Sequence, residues 1–383
     1  MLDVVEEHFD ELDFLWELRE ASIFRASLRP LHLGRLEERM LAHLDGLLEA
    51  GPAGVELARA ALGSESWSRV AAASWVLLRQ SVPQVDSVAD SLAGAAPDSA
   101  AGHRLALRHS QADAWSKRAP RDIEGLPLHV AAVWIDALTY QRRPIDRAGL
   151  TRLASDSDPR HRARAWAARL RVGPPPSPAE LAASAEDESA EVREAALHAA
   201  ARWSTPGLLP LLRAAAQRAG ERDAEAIRLL GALGSEPDLV LLRAPLESRR
   251  AGVAALRGIG ALGSPAGLPI VLEALEDPEF SLGAGDAFEA ITGESLRFAA
   301  GGTEERDRPD VDEARAIWKR IHRGFSAAER WRRGRPIDTL SLREVLAEAD
   351  LEGARDAYLR VCVTSEGRGP DVELETFAVD RGR

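Results

Sequence analysis

The stretch Gly258-Ile-Gly-Ala-Leu-Gly263 has the letters of a dinucleotide-binding loop, G-x-G-x-x-G. That chemistry requires the turn to leave a strand and open a helix, so that backbone amides face a pyrophosphate. Here the glycines follow Ala254-Ala-Leu-Arg257, a helical run, and belong to a Gly-Ala-Leu-Gly-Ser string that occurs twice; Asp277, near the expected acidic position, is one acid among 61. Phosphate-loop chemistry requires Gly-Lys-Ser/Thr, whereas Lys117 and Lys319, the only lysines, are each followed by arginine. None of the nine histidines precedes a glutamate, which removes the His-Glu metal motifs. His103 and His109 are too far apart for adjacent turns, and His161 and His198 fall inside helical patterns as solvated or stacking imidazoles. Cys362 is the only cysteine, so an intrachain disulfide or a cysteine zinc cluster is excluded, and a packing thiol is expected. Gly63-Ser-Glu-Ser-Trp67 lacks the second glycine of a nucleophile elbow. Acid pairs such as Glu6-Glu7 and Glu304-Glu305 arise by chance at this acid content and read as solvated faces. No catalytic residue, metal or cofactor is assigned, and the chain is expected not to be an enzyme.

Two sets of residues remain as binding candidates. The first is Trp318-Lys-Arg-Ile-His-Arg323 with Arg330-Trp-Arg-Arg-Gly-Arg335, in which Trp318, Arg320, Arg323, Trp331, Arg332, Arg333 and Arg335 interleave rings and positive charge. Such residues stack on and pair with an acidic protein or a single strand. The alternative is that both tryptophans sit in the core of a terminal cap with the arginines turned to solvent. The second set is Arg162, Arg164, Arg193 and Arg228, whose meaning depends on the elements that carry them.

Those elements repeat. Gly231-Ala-Leu-Gly-Ser235 recurs letter for letter at Gly260-Ala-Leu-Gly-Ser264, and each copy is followed by proline (Pro237, Pro265) and an apolar run. Ala290-Ile-Thr-Gly293 follows after about the same interval. Glycine behind an Ala/Leu-rich periodic run, with proline soon after, marks a helix end. Upstream, Asp156 precedes Arg162 by six residues and Asp187 precedes Arg193 by six, each arginine opening an alanine-rich helix. A period of about 30 residues with two helices per unit is solenoid spacing, in which neighbours stack because one pair cannot bury its apolar face alone. Units are expected near 54–84, 85–113, 123–143, 144–173, 177–207, 208–238, 239–267 and 268–296. Successive second helices would then build a concave face, where Arg162, Arg164, Arg193 and Arg228 either line a groove or tie one repeat to the next.

The flanks differ. Residues 1–53 hold two longer amphipathic patterns, around Leu2 to Arg19 and Leu31 to Leu48, and read as an N-terminal cap to the array at 54–296. Gly173-Pro-Pro-Pro-Ser177 is a stiff joint and a candidate break in the array. Residues 297–383 read as a C-terminal helical cap: an exposed loop from Ala299, one helical segment over roughly 310–360, and a candidate terminal strand at Val372-Glu-Leu-Glu-Thr-Phe-Ala-Val379. The 383 residues are 45% hydrophobic and 29% charged, with a net charge of −12, the wrong sign for a general coat on nucleic acid. No run approaches the ~18 apolar residues of a membrane span, and the acidic start lacks a secretory pattern, so cytoplasmic localisation is expected.

Asp187 with Val192-Arg193, and prolines such as Pro210 and Pro269 within the first helix of a unit, resemble the HEAT repeat. The pattern is incomplete, with Arg218 where an aspartate is due and Gly283 where Asp277 would want its arginine. At both ends, Phe14-Leu-Trp-Glu-Leu-Arg19, Leu36 to Leu47, Phe288-Glu-Ala-Ile-Thr-Gly293 and Trp318 before Gly334-Arg-Pro336 are similar to bacterial HEAT-repeat proteins of uncharacterised function. That resemblance implies a link, through gene neighbourhood, to type VI secretion and its effectors or adaptors, and no assigned activity. The expectation is therefore an all-α HEAT-like α-solenoid with N- and C-terminal caps, serving as a protein-binding scaffold or adaptor without cofactor, with nucleic acid and membrane not expected as partners. Two readings from other classes stand beside it: a HEAT-like nucleic-acid-binding or DNA-repair protein, and a lyase or cofactor-attachment subunit.

Overall fold

The computed structural model describes residues 2–23, 30–120, 122–145, 147–299, 308–337, 344–345 and 351–375. The protein is all-α: it is mostly helical, with neighbouring helices in contact. Two long helices come first, α1 (Leu2–Ile23) and α2 (Pro30–Glu49). Helix pairs follow: α3 (Pro52–Ala61) with α4 (Trp67–Leu78), and α5 (Val82–Ala93) with α6 (Pro97–Arg108). A short α7 (Ala112–Trp115) stands before α8 (Leu128–Tyr140). Then come α9 (Arg147–Ala154) with α10 (Pro159–Val172), α11 (Pro178–Ala185) with α12 (Ala190–Arg202), and α13 (Leu208–Arg218) with α14 (Ala224–Leu233). The last pairs are α15 (Leu239–Glu247) with α16 (Gly252–Leu262), and α17 (Leu268–Ala274) with α18 (Ser281–Thr292). Beyond them lie α19 (Val311–Ile321) and α20 (Leu351–Thr364). The strands among the described residues are two-residue pairings, Phe298–Ala299 with Arg308–Pro309 and Trp331–Arg332 with Arg335–Pro336.

Local sequence sets these boundaries. Proline at the first helical positions of α3, α5, α6, α10 and α11 removes an amide that would lack an intrahelical partner. Ser177 and Glu180 form a capping box at the start of α11, and Asp310 accepts from the Glu313 amide at the start of α19. The second helix of each pair packs on the second helix of the next, in the succession α4, α6, α8, α10, α12, and again α14, α16, α18. Their sequences show why: α4 is buried at every position from Val70 to Leu78, and α8 from Val130 to Tyr140. Such helices are covered by their own first helices and by neighbours on either side, which explains their near-continuous apolar runs.

Helices this close need small residues. A side-chain carbon on Gly102 would lie 2.2 Å from the Trp67 carbonyl, and one on Gly231 would lie 1.9 Å from that of Gly258. The repeated Gly-Ala-Leu-Gly thus divides its labour. Gly231 and Gly260 lie inside α14 and α16, whereas Gly234 and Gly263 follow the last helical residue as caps, Gly263 at φ +68°. Gly293, at φ +78°, caps α18 likewise. The G-x-G-x-x-G letters therefore fall on a helix and its C-terminal cap.

The paired Asp and Arg six residues apart also have a cause. Arg162 Nη1 donates to the carbonyls of Asp156 and Ser157, both at 2.9 Å, and Arg193 Nη1 to those of Asp187 and Glu188, both at 2.8 Å. The other edge of Arg162 grips the Asp187 carboxylate of the next pair at 2.9 and 3.0 Å. Arg193 meets the Arg222 carbonyl instead, at 3.3 Å, and the aspartate of that turn, Asp223, is taken by Arg218 at 2.6 Å. Asp277 takes Arg249, from the preceding pair, in place of a guanidinium on its own helix.

The C-terminal region differs from one helical segment over 310–360. The chain turns at Gly324 and again at Arg333-Gly334, where Arg333 and Gly334 have positive φ, then passes Pro336, so helix cannot run through. Arg330 donates to the carbonyls of Gly231, Ala232, Gly234, Ala261 and Leu262, filling acceptors that two helix ends leave open. The Trp331 amide donates to Gly263 and that of Gly334 to Ile291. No strand pairing forms at Val372–Glu375, and the rest of that candidate strand lies outside the described residues, as does most of the loop expected from Ala299. Apolar burial falls into two large clusters, one from Val5 to Ala168 and one from Leu181 to Cys362, with Gly173–Ser177 between them. No helix among the described residues is long and apolar enough to cross a membrane.

His103, fully buried between Ser74 and Ser91, links α4, α5 and α6, and burial pushes its pKa down to about 4. The imidazole stays neutral in the folded chain while the unfolded chain protonates near pH 6.5. Stability should therefore fall as pH drops below 6.5 and level off near pH 4, by about 3 kcal/mol from this group. Urea titrations at both limits check this: His103→Gln should lose that part of the slope, and an unchanged slope would remove His103 as its source.

Candidate functional site

Arginine recurs where the second helices end. Arg108 closes α6, Arg171 lies in the last turn of α10, and Arg202 closes α12, while Arg142 follows α8 by two residues. Arg19 on α1 and Arg228 on α14 extend the row at either side. Arg19, Arg108, Arg171, Arg202 and Arg228 are all less than a tenth exposed, so they are structural or ligand-holding charges and not solvated ones.

What they hold is the chain's own C-terminal segment. α20 packs against α12 and α14, burying Tyr358, Leu359 and Cys362. Arg228 Nη1 meets Asp356 Oδ1 at 2.5 Å. The chain then leaves the helix and runs back along the row. Arg202 donates to the Gly367 carbonyl at 2.8 Å and to the Asp371 carboxylate at 2.9 Å. Arg142 donates to the Val372 carbonyl at 3.2 Å, and Arg171 Nε to Glu373 at 2.8 Å. Arg108 meets the Glu375 carboxylate at 3.0 Å, and Arg19 its backbone carbonyl at 2.6 Å. Four of the five residues from Asp371 to Glu375 thus touch arginines, which come from five separate helical units.

The row is anchored from beneath by Asp136 on α8, which is 2% exposed. Arg108 grips it through Nε and Nη2 at 2.5 and 2.7 Å, Arg171 adds a bond of 2.9 Å, and Arg104 stands at 3.7 Å. Burial alone would raise the Asp136 pKa, but the charges of Arg108 and Arg171 outweigh it and hold the carboxyl far below its ordinary range. Glu375 behaves alike: burial would raise it, and Arg108 and Arg171 hold it below the usual value. Tyr140 lies under both guanidiniums, its ring centre 5.1 Å from Arg108 and 5.0 Å from Arg171, and burial pushes its hydroxyl pKa up.

The residues singled out in the sequence are dispersed. Trp331 is buried, its Nε1 donating to the Ser326 carbonyl, while Trp318 is half-buried and packs edge-on against Phe325. Arg332 donates to the Gly353 carbonyl, and the Arg333 amide to that of Ala290. Arg320, Arg323 and Arg335 are exposed, Arg320 paired with Glu294 and Arg335 with Glu344. Arg162 and Arg193 tie adjacent turns together, as described above. Arg228 joins the row, and Arg164, whose pKa burial lowers, lies near its Asp136 anchor and Arg108.

Arg19, Arg108, Arg142, Arg171 and Arg202 were missed, although a signal existed. Arg108, Arg142, Arg171 and Arg202 follow one another at 34, 29 and 31 residues, the repeat interval itself. With all but two of 49 basic residues being arginine, that periodicity does not stand out.

Glu194, His198 and Glu225 offer three ligand atoms within 4.8 Å of one another. Both Glu225 oxygens accept from Arg228, at 2.7 and 2.9 Å, and Arg355 stands 3.7 Å from Glu194. Although burial would raise Glu225, Arg228 holds its pKa well below the ordinary value. Two guanidiniums already neutralise these carboxylates, so the cluster is an ion-pair network and a poor cation site. Compared with known proteins, the chain matches no family model, no curated protein and no solved structure.

Proposed function

We propose that the chain is an α-solenoid of HEAT-like helical hairpins, capped at both ends, that acts as a non-enzymatic scaffold or adaptor holding another protein. Second helices stacked in succession at an interval of about 30 residues support the solenoid reading. The observation that carries the function is the arginine row, because it already grips a stretch of polypeptide by both carboxylates and backbone carbonyls. Backbone carbonyls are what a protein partner offers, and a nucleic acid does not. The resemblance to bacterial HEAT-repeat proteins encoded beside type VI secretion genes supports an effector or component of that machinery as the partner.

The test is affinity capture from the native bacterium with the full chain and with Arg142→Ala/Arg202→Ala as bait. A secretion component recovered reproducibly with the parent and lost with the variant supports the reading. Recovery of nothing above background with either bait contradicts it.

A further inference from the structure

The part of the row between α6 and α12 is over-supplied with positive charge. Arg104, Arg108, Arg142, Arg171 and Arg202 converge there, and the helices beneath supply Asp136 as the carboxylate at their centre. The remaining balance comes from Asp371, Glu373 and Glu375, at alternate positions of one non-helical stretch. Buried guanidiniums left without that stretch would demand another acidic chain.

The stretch is also held lightly. Among its described residues, Asp371 is 67% exposed at the side chain and Glu375 28%, and the bonds to the row are those of side-chain carboxylates and two carbonyls. The fully buried apolar anchors lie upstream, in α20, at Tyr358, Leu359 and Cys362, whereas Val372 and Leu374 within the stretch are only partly buried against the same cluster. Residues 371–375 can therefore lift while α20 stays docked.

We propose that the arginine row is a docking site for a partner's acidic segment carrying carboxylates at alternate positions, and that residues 371–375 are a tethered competitor occupying it. This rests on the scaffold reading and gives the partner its chemistry. Tethering places the competitor at an effective concentration in the millimolar range, so a free segment binds weakly until the competitor is weakened. The attraction between charges at the rim also falls with salt.

The probe is a fluorescent peptide with the sequence of Gly369–Glu375, titrated into the full chain. Against it stands the full-length variant Asp371→Asn/Glu373→Gln/Glu375→Gln, with Glu373→Gln alone as a milder second variant. The triple variant should bind the peptide about tenfold tighter or more than the parent, the single variant should fall between, and raising salt should weaken both. A peptide with the three carboxylates neutralised should not bind. Equal affinity of parent and variants for the acidic peptide, with helical content unchanged by circular dichroism, would overturn the proposal. So would preferential binding of a single-stranded oligonucleotide, or a parent dimer that the triple substitution abolishes, since the occupant would then be a second copy. If the peptide fails while affinity capture still yields a partner that needs Arg142 and Arg202, only this inference falls.

Discussion

Asp136→Asn should destabilise the folded chain by about 3–5 kcal/mol at neutral pH, measured by urea denaturation. The substitution keeps the shape of the side chain and removes the negative charge on which Arg108 and Arg171 converge, with Arg104 close by. The cost is large because Arg108 and Arg171 are less than a tenth exposed and have no water to retreat into. The pH dependence has a definite sign. The Asp136 pKa is depressed by folding, so its contribution is complete above the ordinary carboxylate range and is lost as pH falls toward the folded value. The gap between parent and variant should therefore be constant from pH 8 to 5 and shrink only below about pH 4. A variant within about 0.5 kcal/mol of the parent would mean that the arginines are solvated and the anchor is absent.

Gly231→Ala should lose about 3 kcal/mol or more, although glycine to alanine inside an exposed helix normally gains about 1 kcal/mol. The added carbon would sit 1.9 Å from the Gly258 carbonyl oxygen and 2.4 Å from its Cα, both backbone atoms of a packed helix. α14 and α16 would have to part, disturbing a shared apolar layer that includes Ile227, Leu230, Leu256 and Ile259. Gly63→Ala is the control, since nothing lies within 4 Å of its added carbon. Equal stability of both variants and the parent would refute the close crossing.

These two residues mark what could and could not be read from the sequence. The repeated Gly-Ala-Leu-Gly-Ser was legible as a helix terminus and not a cofactor loop, because its neighbours are helical and its interval matches the Asp–Arg interval upstream. Asp187 and Arg193 were legible because they lie six residues apart and the same local turn sets both. The arginine row was not. Its partners are separated by 202 residues for Arg171 and Glu373, 267 for Arg108 and Glu375, and 356 for Arg19 and Glu375. Local periodicity carries no information at that range, and the acids of 371–375 do not stand out among 61. The basic stretch near Trp331 drew attention through its composition. Arg330 and Trp331 instead meet open carbonyls at the ends of α14 and α16, a role that depends on where those helices stop.

The seating of the C-terminal segment on the arginine row is tested most directly by a double-mutant cycle on stability with Arg171→Gln and Glu373→Gln, whose charged groups stand 2.8 Å apart. Contact between them should appear as a coupling of about 1–3 kcal/mol that diminishes as salt is raised. Additivity of the two substitutions within about 0.5 kcal/mol would show that residues 371–375 do not lie on the row.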